Sequence, residues 1–247
     1  INFSNSKKNI LIAGCGTGMN IFKVASAFPE AVITCVDLSL SSLSYAKRKV
    51  QEARLKNISF YNGDISQIMK IGGNYDYIEC MGVLHHIENY LQVWQRLIEC
   101  LGKNGIMRIG LYSRRARKDV IQFRETSNKS FAKISQDQII QERQKIIENE
   151  QNYSFTKSMD FFSKSGVRDL ILNAYEKQFD LLEIKKILSE LNLDFLGIQI
   201  RKNDVRSKFK KLFPKNEDWF VLDNWDKFEK EFPNTFSGMY QFWCQKN

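Results

Sequence analysis

Three glycines at alternate positions follow a short apolar segment near the start of the chain. They are Gly14, Gly16 and Gly18, and the segment before them is Asn9–Ala13. Glycine lets the backbone approach a bound molecule closely, and the free N–H groups of a helix that begins there favour a polar or anionic group. Asp37 ends the next apolar run, where a carboxylate can accept hydrogen bonds from a ribose. The pattern predicts a site for a nucleoside-bearing ligand.

A second acidic residue indicates which nucleoside the ligand contains. Asp64 follows the third apolar run, where its carboxylate can accept a hydrogen bond from an adenine amino group while Ile65 covers the ring. The glycine spacing lacks the last glycine of the dinucleotide fingerprint, and no Walker lysine follows the loop, which excludes a P-loop. These features together predict an adenosine site whose ligand carries no phosphates.

The elements that position these residues alternate between strand and helix signals. We predict strands at residues 9–13, 31–36, 58–61, 75–80, 105–112, 194–200 and 239–245. Predicted helices cover residues 20–28, a segment ending at 53 with Ser39 or Ser41 as its N-cap, and residues 90–101, 117–126, 135–148, 165–177 and 182–191. Strands separated by helices imply right-handed crossovers. The fold class is therefore α/β, a doubly wound, seven-stranded, mainly parallel sheet of the Rossmann-like kind with an antiparallel last strand.

Two helical insertions are expected, one after strand 5 and one between strands 6 and 7. We interpret residues 1–247 as one domain, with a cofactor-binding half at 1–113 and a helical cap at 114–193. The remainder, 194–247, holds the last two strands and a helical insertion at 203–238. Because ligands bind at the carboxyl ends of the strands, the cap should cover that edge and exclude water.

Composition limits the class of protein. The chain has 247 residues, 43% of them hydrophobic, and three prolines, which fits one globular unit without a flexible linker. No apolar run reaches the roughly 18 residues of a membrane span, and the first residues are not a signal peptide. The cysteines lack a CxxC pair and are expected to be reduced thiols, mostly buried, without a metal site. They are Cys15, Cys35, Cys80, Cys100 and Cys244. We therefore predict a cytoplasmic protein.

Positive charge is concentrated in one stretch. The net charge is +9, and residues 201–215 hold seven basic residues against the single acid Asp204. Such a stretch is either a solvated helix face or a surface that binds phosphates or an acidic partner.

Four segments together resemble a known enzyme family. Class I S-adenosylmethionine-dependent methyltransferases have motifs, in the same order, similar to residues 13–18 (Ala-Gly-Cys-Gly-Thr-Gly), 36–39 (Val-Asp-Leu-Ser), 63–65 (Gly-Asp-Ile) and 79–86 (Glu-Cys-Met-Gly-Val-Leu-His-His). The resemblance implies a site for S-adenosylmethionine, with S-adenosylhomocysteine as its product.

The resemblance also implies a role for each matching residue. The glycines would wrap the methionine part, Asp37 would hold the ribose, and the acid after strand 3 would hold adenine. Cys80 and Met81 would line the floor beneath the sulfonium. The implied cofactor-binding residues are Ala13, Gly14, Cys15, Gly16, Gly18, Asn20, Asp37, Leu38, Asp64, Ile65, Cys80 and Met81.

A narrower resemblance extends over nearly the whole chain. Residues 36–49, 107–113, 160–170 and 236–243 are similar to a bacterial subgroup of these methyltransferases that is often fused to tetratricopeptide repeats. The similarity implies a repeat region of the same protein before the catalytic domain. The lack of a starting Met fits a fragment or a trimmed terminus.

Two adjacent histidines are the candidate catalytic residues. His85 and His86 are the two histidines of the chain and follow strand 4 directly. An imidazole near the transferred methyl group could act as a general base toward an oxygen or nitrogen nucleophile, because its ordinary pKa lies near neutrality. Either ring could instead cap the following helix or pack beneath the loop.

Substrate-binding residues are predicted at the same edge and in the cap. Tyr112 and Arg114 close strand 5, where the Tyr112 ring could steer a substrate or be buried. In the cap, Arg168 could bind a substrate carboxylate or phosphate, or pair with Asp169. Ser165 is a substrate candidate whose other interpretation is a helix cap.

The function predicted is a methyltransferase that acts on a small-molecule, sugar or peptide acceptor. Two alternatives stay open, an RNA methyltransferase that uses residues 201–215 and a non-catalytic domain that binds cofactor or partner proteins. Residues 80–83 read Cys-Met-Gly-Val in place of an Asn-Pro-Pro-Tyr-like sequence, which argues against methylation of exocyclic base amines. Nucleic acid is therefore the less favoured partner.

Overall fold

Seven strands form one sheet in the computed structural model, which describes residues 7–127, 134–148 and 153–247. They are β1 (Asn9–Ala13), β2 (Val32–Asp37), β3 (Ile58–Asn62), β4 (Tyr75–Met81), β5 (Leu101–Leu111), β6 (Leu193–Ile198) and β7 (Tyr240–Lys246). The strand order is β3-β2-β1-β4-β5-β7-β6. Strands β1 to β5 pair in parallel, whereas β7 is antiparallel to both β5 and β6. The predicted mainly parallel sheet with an antiparallel last strand is confirmed.

The strand order reverses at β1 and β4 in the centre of the sheet. Leu11 of β1 pairs with Thr34 on one side and with Ile78 on the other. A central strand covered on both faces requires a continuous apolar run, as β1 has. A reversal of strand order opens a crevice at the carboxyl ends of the strands. Gly14 and Asp37 come at or just after the ends of β1 and β2, at this crevice.

Helices cover both faces of the sheet. They are α1 (Met19–Ala27), α2 (Leu40–Glu52), α3 (Tyr90–Glu99), α4 (Lys118–Ser127), α5 (Gln136–Glu148), α6 (Lys164–Ile171), α7 (Leu181–Glu190), α8 (Asn203–Leu212) and α9 (Leu222–Glu231). Short 3-10 helices lie at Ile65–Lys70, Leu84–His86, Ser154–Lys157, Met159–Phe162 and Asn216–Phe220. In the parts of the chain that the structure describes, every helix is too short or too polar to span a bilayer.

The start of α2 follows one of its two predicted caps. The Ser39 hydroxyl accepts a hydrogen bond from the Ser42 N–H at 3.2 Å, which satisfies a backbone donor of the first turn. Ser41, the other candidate, lies inside the helix.

Three hydrophobic clusters hold these layers together. One lies between the sheet and α1 and α2, around Ile12 and Leu43. A larger one lies on the opposite face beneath α3, α7 and α9, and includes Trp94 and Ile184. A third joins α4, α5 and α6 around Phe123. Helices α4, α5 and α6 thus have a core of their own, and the division of the chain into a cofactor half and a cap stays a prediction.

The helix predicted at residues 165–177 is shorter, since α6 ends at Ile171. Residues 173–177 leave the helix because their backbone groups bond to a distant segment. The Lys177 N–H donates to the His85 carbonyl oxygen at 2.8 Å. A contact made across the fold therefore overrides the local helical pattern.

The strand predicted at residues 105–112 begins earlier, at Leu101. Leu101 pairs with Tyr75, and the register shifts before Tyr77. The chain passes through a left-handed conformation at Asn104, where φ is 59°. Because β5 already begins at Leu101, α3 ends at Glu99, two residues before its predicted end. The other boundaries match the predictions or differ from them by at most two residues.

Candidate active site

The loop between β1 and α1 leaves open space at its middle glycine. The N–H groups of Gly14 and Cys15 both donate to the Val36 carbonyl oxygen, at 2.8 and 3.1 Å. A Cβ on Gly14, where φ is +76°, would lie 2.3 Å from Val83. Gly16 also has a positive φ, +52°, but a Cβ there would meet no described atom within 4 Å. The first glycine is needed for packing, whereas the second leaves room that a ligand can occupy.

The Asp37 carboxylate, at the end of β2, holds this loop through hydrogen bonds. Its Oδ2 accepts from the Gly16 N–H at 2.7 Å and its Oδ1 from the Ser39 N–H at 2.9 Å. The Asn62 amide donates to the Asp37 carbonyl oxygen at 3.1 Å, which ties β3 to the same turn. Each carboxylate oxygen keeps a second lone pair. Asp37 can therefore still accept hydrogen bonds from the hydroxyls of a ligand.

Three of the predicted cofactor-binding residues, which follow β2 and β3, differ in exposure. Leu38 is 74% exposed and offers an apolar surface that a flat ring could cover. Asp64 is exposed, and its carboxylate accepts from the Ser66 N–H at 2.7 Å at the start of a 3-10 helix. The Ile65 side chain is turned into the core and is 5% exposed, so its backbone is the part left to face a ligand.

Of the other cofactor-binding residues predicted near the glycine loop, Ala13 and Cys15 are buried and Asn20 is half-buried. Ala13 is buried in the core. A hydrogen bond with the Cys15 thiol, together with burial, raises the pKa of the Cys35 thiol. Asn20 on α1 is half-buried, and its Oδ1 accepts from the Lys23 ammonium at 3.5 Å. All five cysteines of the chain are buried and free of disulfides.

The end of β4 brings together two methionines and a glycine of β5. Cys80 belongs to the core, and burial raises the pKa of its thiol to about 12. Met81 is half-buried beside Gly110. A Cβ on Gly110 would lie 2.7 Å from Met239 Sδ and 2.8 Å from Met81 Cε. Met239 was predicted as the first residue of the last strand but not as a residue of the site, because it reaches this edge only through the antiparallel pairing of β7 with β5.

His85 is enclosed by other rings. Its side chain is 0% exposed, and its ring stacks on Tyr112 with centroids 3.8 Å apart. Among the described residues, no hydrogen bond of normal geometry reaches either ring nitrogen. Burial, and then the neighbouring His86 and Arg117, lower the pKa of His85 well below its ordinary value. His85 is therefore neutral at pH 7, and its ring does not contact solvent.

His86 has one anchored nitrogen and one that can accept a proton. Its Nδ1 lies 3.1 Å from the Tyr175 carbonyl oxygen, which assigns the ring proton to Nδ1. Nε2 is then the unprotonated nitrogen, and its lone pair accepts a long hydrogen bond from the Asn173 amide at 3.5 Å. Burial lowers the pKa of His86, opposed by the hydrogen bond to Tyr175 and by the charge of Glu176. A neutral imidazole held in one tautomer is the arrangement of a general base.

A buried ion pair holds residues 173–177 against the histidines. Arg117 is 5% exposed and donates through Nε and Nη2 to the two carboxylate oxygens of Glu176, each at 2.7 Å. Its guanidinium also lies 3.9 Å from the centroid of the Tyr112 ring. Burial raises the pKa of Tyr112 to about 12, so its hydroxyl keeps its proton at neutral pH. Sequence reasoning missed Arg117, Glu176 and Tyr175.

The predicted substrate-binding residues are not all brought together. Tyr112 lies against both histidines. Arg114 lies at the surface, where it donates to the Glu183 carboxylate at 3.2 Å and to the Gln178 carbonyl oxygen at 3.1 Å. Arg168 is exposed on α6.

The start of α6 is capped by Ser163 rather than by Ser165. The Ser163 hydroxyl accepts from the Gly166 N–H at 3.0 Å. The side chain of Ser165 lies outside the described residues. Asp169, later on the same helix, is close enough to His86 for their charges to interact, while burial raises the pKa of its carboxyl.

Comparison with known proteins agrees with this architecture. Residues 4–159 match a family model described as a methyltransferase domain. An uncharacterized protein of Synechococcus sp. is 32% identical over 120 residues, 48% of this chain and 29% of that protein. The malonyl-acyl-carrier-protein O-methyltransferase of Bacillus anthracis is 32% identical over 104 residues, 42% of this chain and 37% of that protein.

A solved structure has the same fold. PKMT2 from Rickettsia typhi, in complex with AdoHcy, aligns with a TM-score of 0.64 at 18% identity, over 96% of this chain and 48% of that one. The regions compared thus span less than half of each of these three proteins. The family match over more than half of the chain, on a sheet with this strand order, shows that the chain belongs to the methyltransferase domain family, with the fold of the class I S-adenosylmethionine-dependent methyltransferases.

Proposed function

We propose that this chain transfers a methyl group from S-adenosylmethionine to an oxygen or nitrogen atom of a small molecule, sugar or peptide. The observation that carries the proposal is the open space at Gly16, beside the braced carboxylate of Asp37 and at the same edge of the sheet as His86. A loop filled by side chains, or an Asp37 with no lone pairs left, would not support a ligand site. The reaction that the whole protein catalyses and the acceptor that it methylates are likewise proposed.

The residues at this edge fit the cofactor. The missing Cβ of Gly16 leaves space for the methionine part, and α1 begins behind it without a side-chain cap on its N–H groups. Asp37 would hold the ribose, Leu38 would cover one face of adenine, and Asp64 would accept from its amino group. When bound, S-adenosylmethionine supplies a methyl group on a positively charged sulfur, which keeps the bonding electron pair as the acceptor bonds to the methyl carbon.

His86 is the residue proposed to take the proton that the acceptor loses. Its Nδ1–H is bound to the Tyr175 carbonyl oxygen, so Nε2 is the nitrogen that accepts the proton, once the acceptor displaces the long hydrogen bond from the Asn173 amide. Because its pKa is lowered, the ring is unprotonated at pH 7. His85 is enclosed and would act only by positioning, through its edge contact with the His86 ring at a centroid distance of 4.2 Å.

The helices after β5 are proposed to exclude water from this edge. Residues 173–177 reach the histidines, and the Arg117–Glu176 pair holds that segment in place. In a site without bulk water, the electrostatic interactions between the chain and a charged ligand are stronger. The hydroxyl of Tyr112, which keeps its proton at neutral pH, would then donate a hydrogen bond to an acceptor molecule.

Calorimetric titration with S-adenosylhomocysteine tests the cofactor site. We expect Asp37→Ala to weaken binding at least tenfold, because hydrogen bonds to a charged group contribute about 1.5–3 kcal/mol. Asp76→Ala is the matched control, since Asp76 also accepts a backbone N–H, from Asn9 at 2.8 Å, but precedes the carboxyl end of β4. A folded chain that binds no S-adenosylhomocysteine refutes the proposal and favours a non-catalytic domain that binds partner proteins.

Methyl transfer from labelled S-adenosylmethionine to panels of small molecules, sugars, peptides and RNA tests the catalytic step. On the acceptor found, His86→Asn should lower kcat by about 10²–10⁴ and leave S-adenosylhomocysteine binding unchanged. The wild-type rate should stay constant as the pH falls from 8 to about 6.5 and decrease only below it, because the pKa of His86 is lowered. A His86→Asn enzyme of full activity contradicts the role of His86, and methylation confined to RNA replaces the acceptor class.

A further inference from the structure

An open groove of about 990 Å³ lies beside β6 and the first turns of α8. Three aromatic side chains border it, Phe28, Trp219 and Trp243. Two cationic side chains of α8, Arg206 and Lys210, border it as well. Neither the predicted cofactor residues nor the histidines take part in this groove.

The groove is separate from the candidate active site. Phe28 follows the C-terminal end of α1, whereas the glycine loop precedes its N-terminal end. The nine residues of α1 place the two ends about 14 Å apart along the helix axis. A ligand in this groove does not depend on methyl transfer.

Positive charge reaches the groove from one face of α8. Asn203, Arg206 and Lys210 are spaced by three or four residues and therefore share that face. The Arg206 guanidinium is held in place, since its Nε and Nη2 donate to the Ile200 carbonyl oxygen at 3.0 and 2.6 Å. Among the described residues, no acidic side chain borders the groove. Coulombic attraction therefore favours a ligand with a negatively charged group.

The floor of the groove offers an aromatic surface and a fixed donor. Trp243 is half-buried, with the Tyr77 ring stacked on it at a centroid distance of 5.5 Å and the Arg108 guanidinium 5.6 Å from the centroid of the Trp243 ring. The part of Trp243 that these two residues leave uncovered borders the groove. The Gln199 Oε1 accepts from Arg108 Nη2 at 2.7 Å, which leaves the Gln199 amide hydrogens to donate. Arg108 is paired with Glu79 at 3.2 Å, so its charge is offset locally.

We propose that this groove binds a phosphorylated aromatic ligand of mononucleotide size. The phosphate lies at Arg206 and Lys210, and the ring stacks on the surface of Trp243. The volume is at the upper end of the range of about 300–1,000 Å³ that small-molecule sites occupy. An acidic peptide would use the two cations but would leave the aromatic surface and the fixed amide donor without a role.

NMR of the indole N–H groups tests the proposal on the whole chain, with GMP as the probe. The signals of Trp219 and Trp243 should shift saturably, while Trp94, which is 0% exposed and elsewhere in the core, should not move. Guanosine without phosphate should bind at least tenfold more weakly. Lys210→Glu should weaken GMP binding about tenfold, since it replaces an attraction by a repulsion. Lys211→Glu, a neighbour that does not border the groove, is the matched control.

Three results would overturn the proposal. One is the absence of a saturable shift at millimolar GMP in a chain whose Trp94 signal shows it to be folded. Another is an equal loss of binding in Lys210→Glu and Lys211→Glu, which would mean unspecific attraction to a basic helix. The third is tighter binding of an RNA oligonucleotide or an acidic peptide than of GMP, which would assign the groove to a macromolecule.

Discussion

Replacing Gly16 by alanine separates ligand binding from folding. At φ +52°, an alanine costs about 1–2 kcal/mol of backbone strain. Its Cβ would meet no described atom within 4 Å, so packing adds no further cost. For a chain of this length, a loss of 1 kcal/mol lowers Tm by about 2–4 °C. The Gly16→Ala protein should therefore fold, with a Tm only a few degrees below that of the wild type.

Two other glycines provide the matched comparisons. Gly72 has a φ of +69° and likewise no described neighbour within 4 Å of an added Cβ, but it precedes β4, away from the carboxyl ends of the strands. Gly72→Ala should therefore carry the same strain and no change in binding. In Gly14→Ala the added Cβ meets Val83 at 2.3 Å, so we expect the backbone strain plus about 1–3 kcal/mol of overpacking.

Thermal unfolding and calorimetric titration with S-adenosylhomocysteine distinguish these cases. If the ligand occupies the space at Gly16, the added methyl group should cost about 1–3 kcal/mol of binding, a factor of roughly 5 to 150 in Kd. Gly72→Ala should bind S-adenosylhomocysteine as tightly as the wild type does, although its Tm falls by as much as that of Gly16→Ala. Equal affinities of Gly16→Ala and Gly72→Ala would refute the assignment of this space to the ligand.

Two further predictions concern the buried polar groups around the site. Because burial keeps His85 neutral in the folded chain while the unfolded chain takes up a proton, stability should fall by up to about 1.4 kcal/mol per pH unit below pH 6.5. Urea unfolding at pH 7.5 and 5.5 measures this loss of stability, which should be smaller in His85→Phe than in the wild type. An equal difference between the two pH values in both proteins would contradict the role of His85. Glu176→Gln should cost about 3–5 kcal/mol, because it leaves the Arg117 charge buried without its partner. Glu190→Gln, which breaks the exposed pair with Lys186, should cost less than about 1 kcal/mol, and equal Tm losses would contradict the difference.

The sheet and its glycine loop were predictable because their signals are local. Apolar runs bounded by glycines and acids indicate strands within a few residues, and the Ser39 cap indicates where α2 begins. The contact between Asp37 and Gly16 joins residues that are 21 positions apart, within one strand–helix–strand unit. Such a unit has few possible arrangements, because its crossover is right-handed.

The segment over the histidines was not predictable because distant residues decide its conformation. Tyr175 bonds to a histidine 89 positions away, and Glu176 pairs with a residue 59 positions away. The pattern of residues 165–177 favours a longer helix, and only the folded chain shows which backbone groups are used elsewhere. Ile65 illustrates the same limit, since its position in the sequence does not reveal that its side chain points into the core.

The two histidines differ only through the residues that surround them, and this difference links residues 173–177 to the proposed chemistry. His85 and His86 are neighbours of the same type, so their sequence cannot rank them as bases. In the fold, the Tyr175 carbonyl oxygen sets the tautomer of His86, and that carbonyl belongs to the segment held by Arg117 and Glu176. If that segment moved away, Nδ1 would lose its acceptor and the ring its fixed orientation. On the proposed function, His86 can therefore act as a base only while residues 173–177 are in place, which ties the proposed proton transfer to the position of that segment.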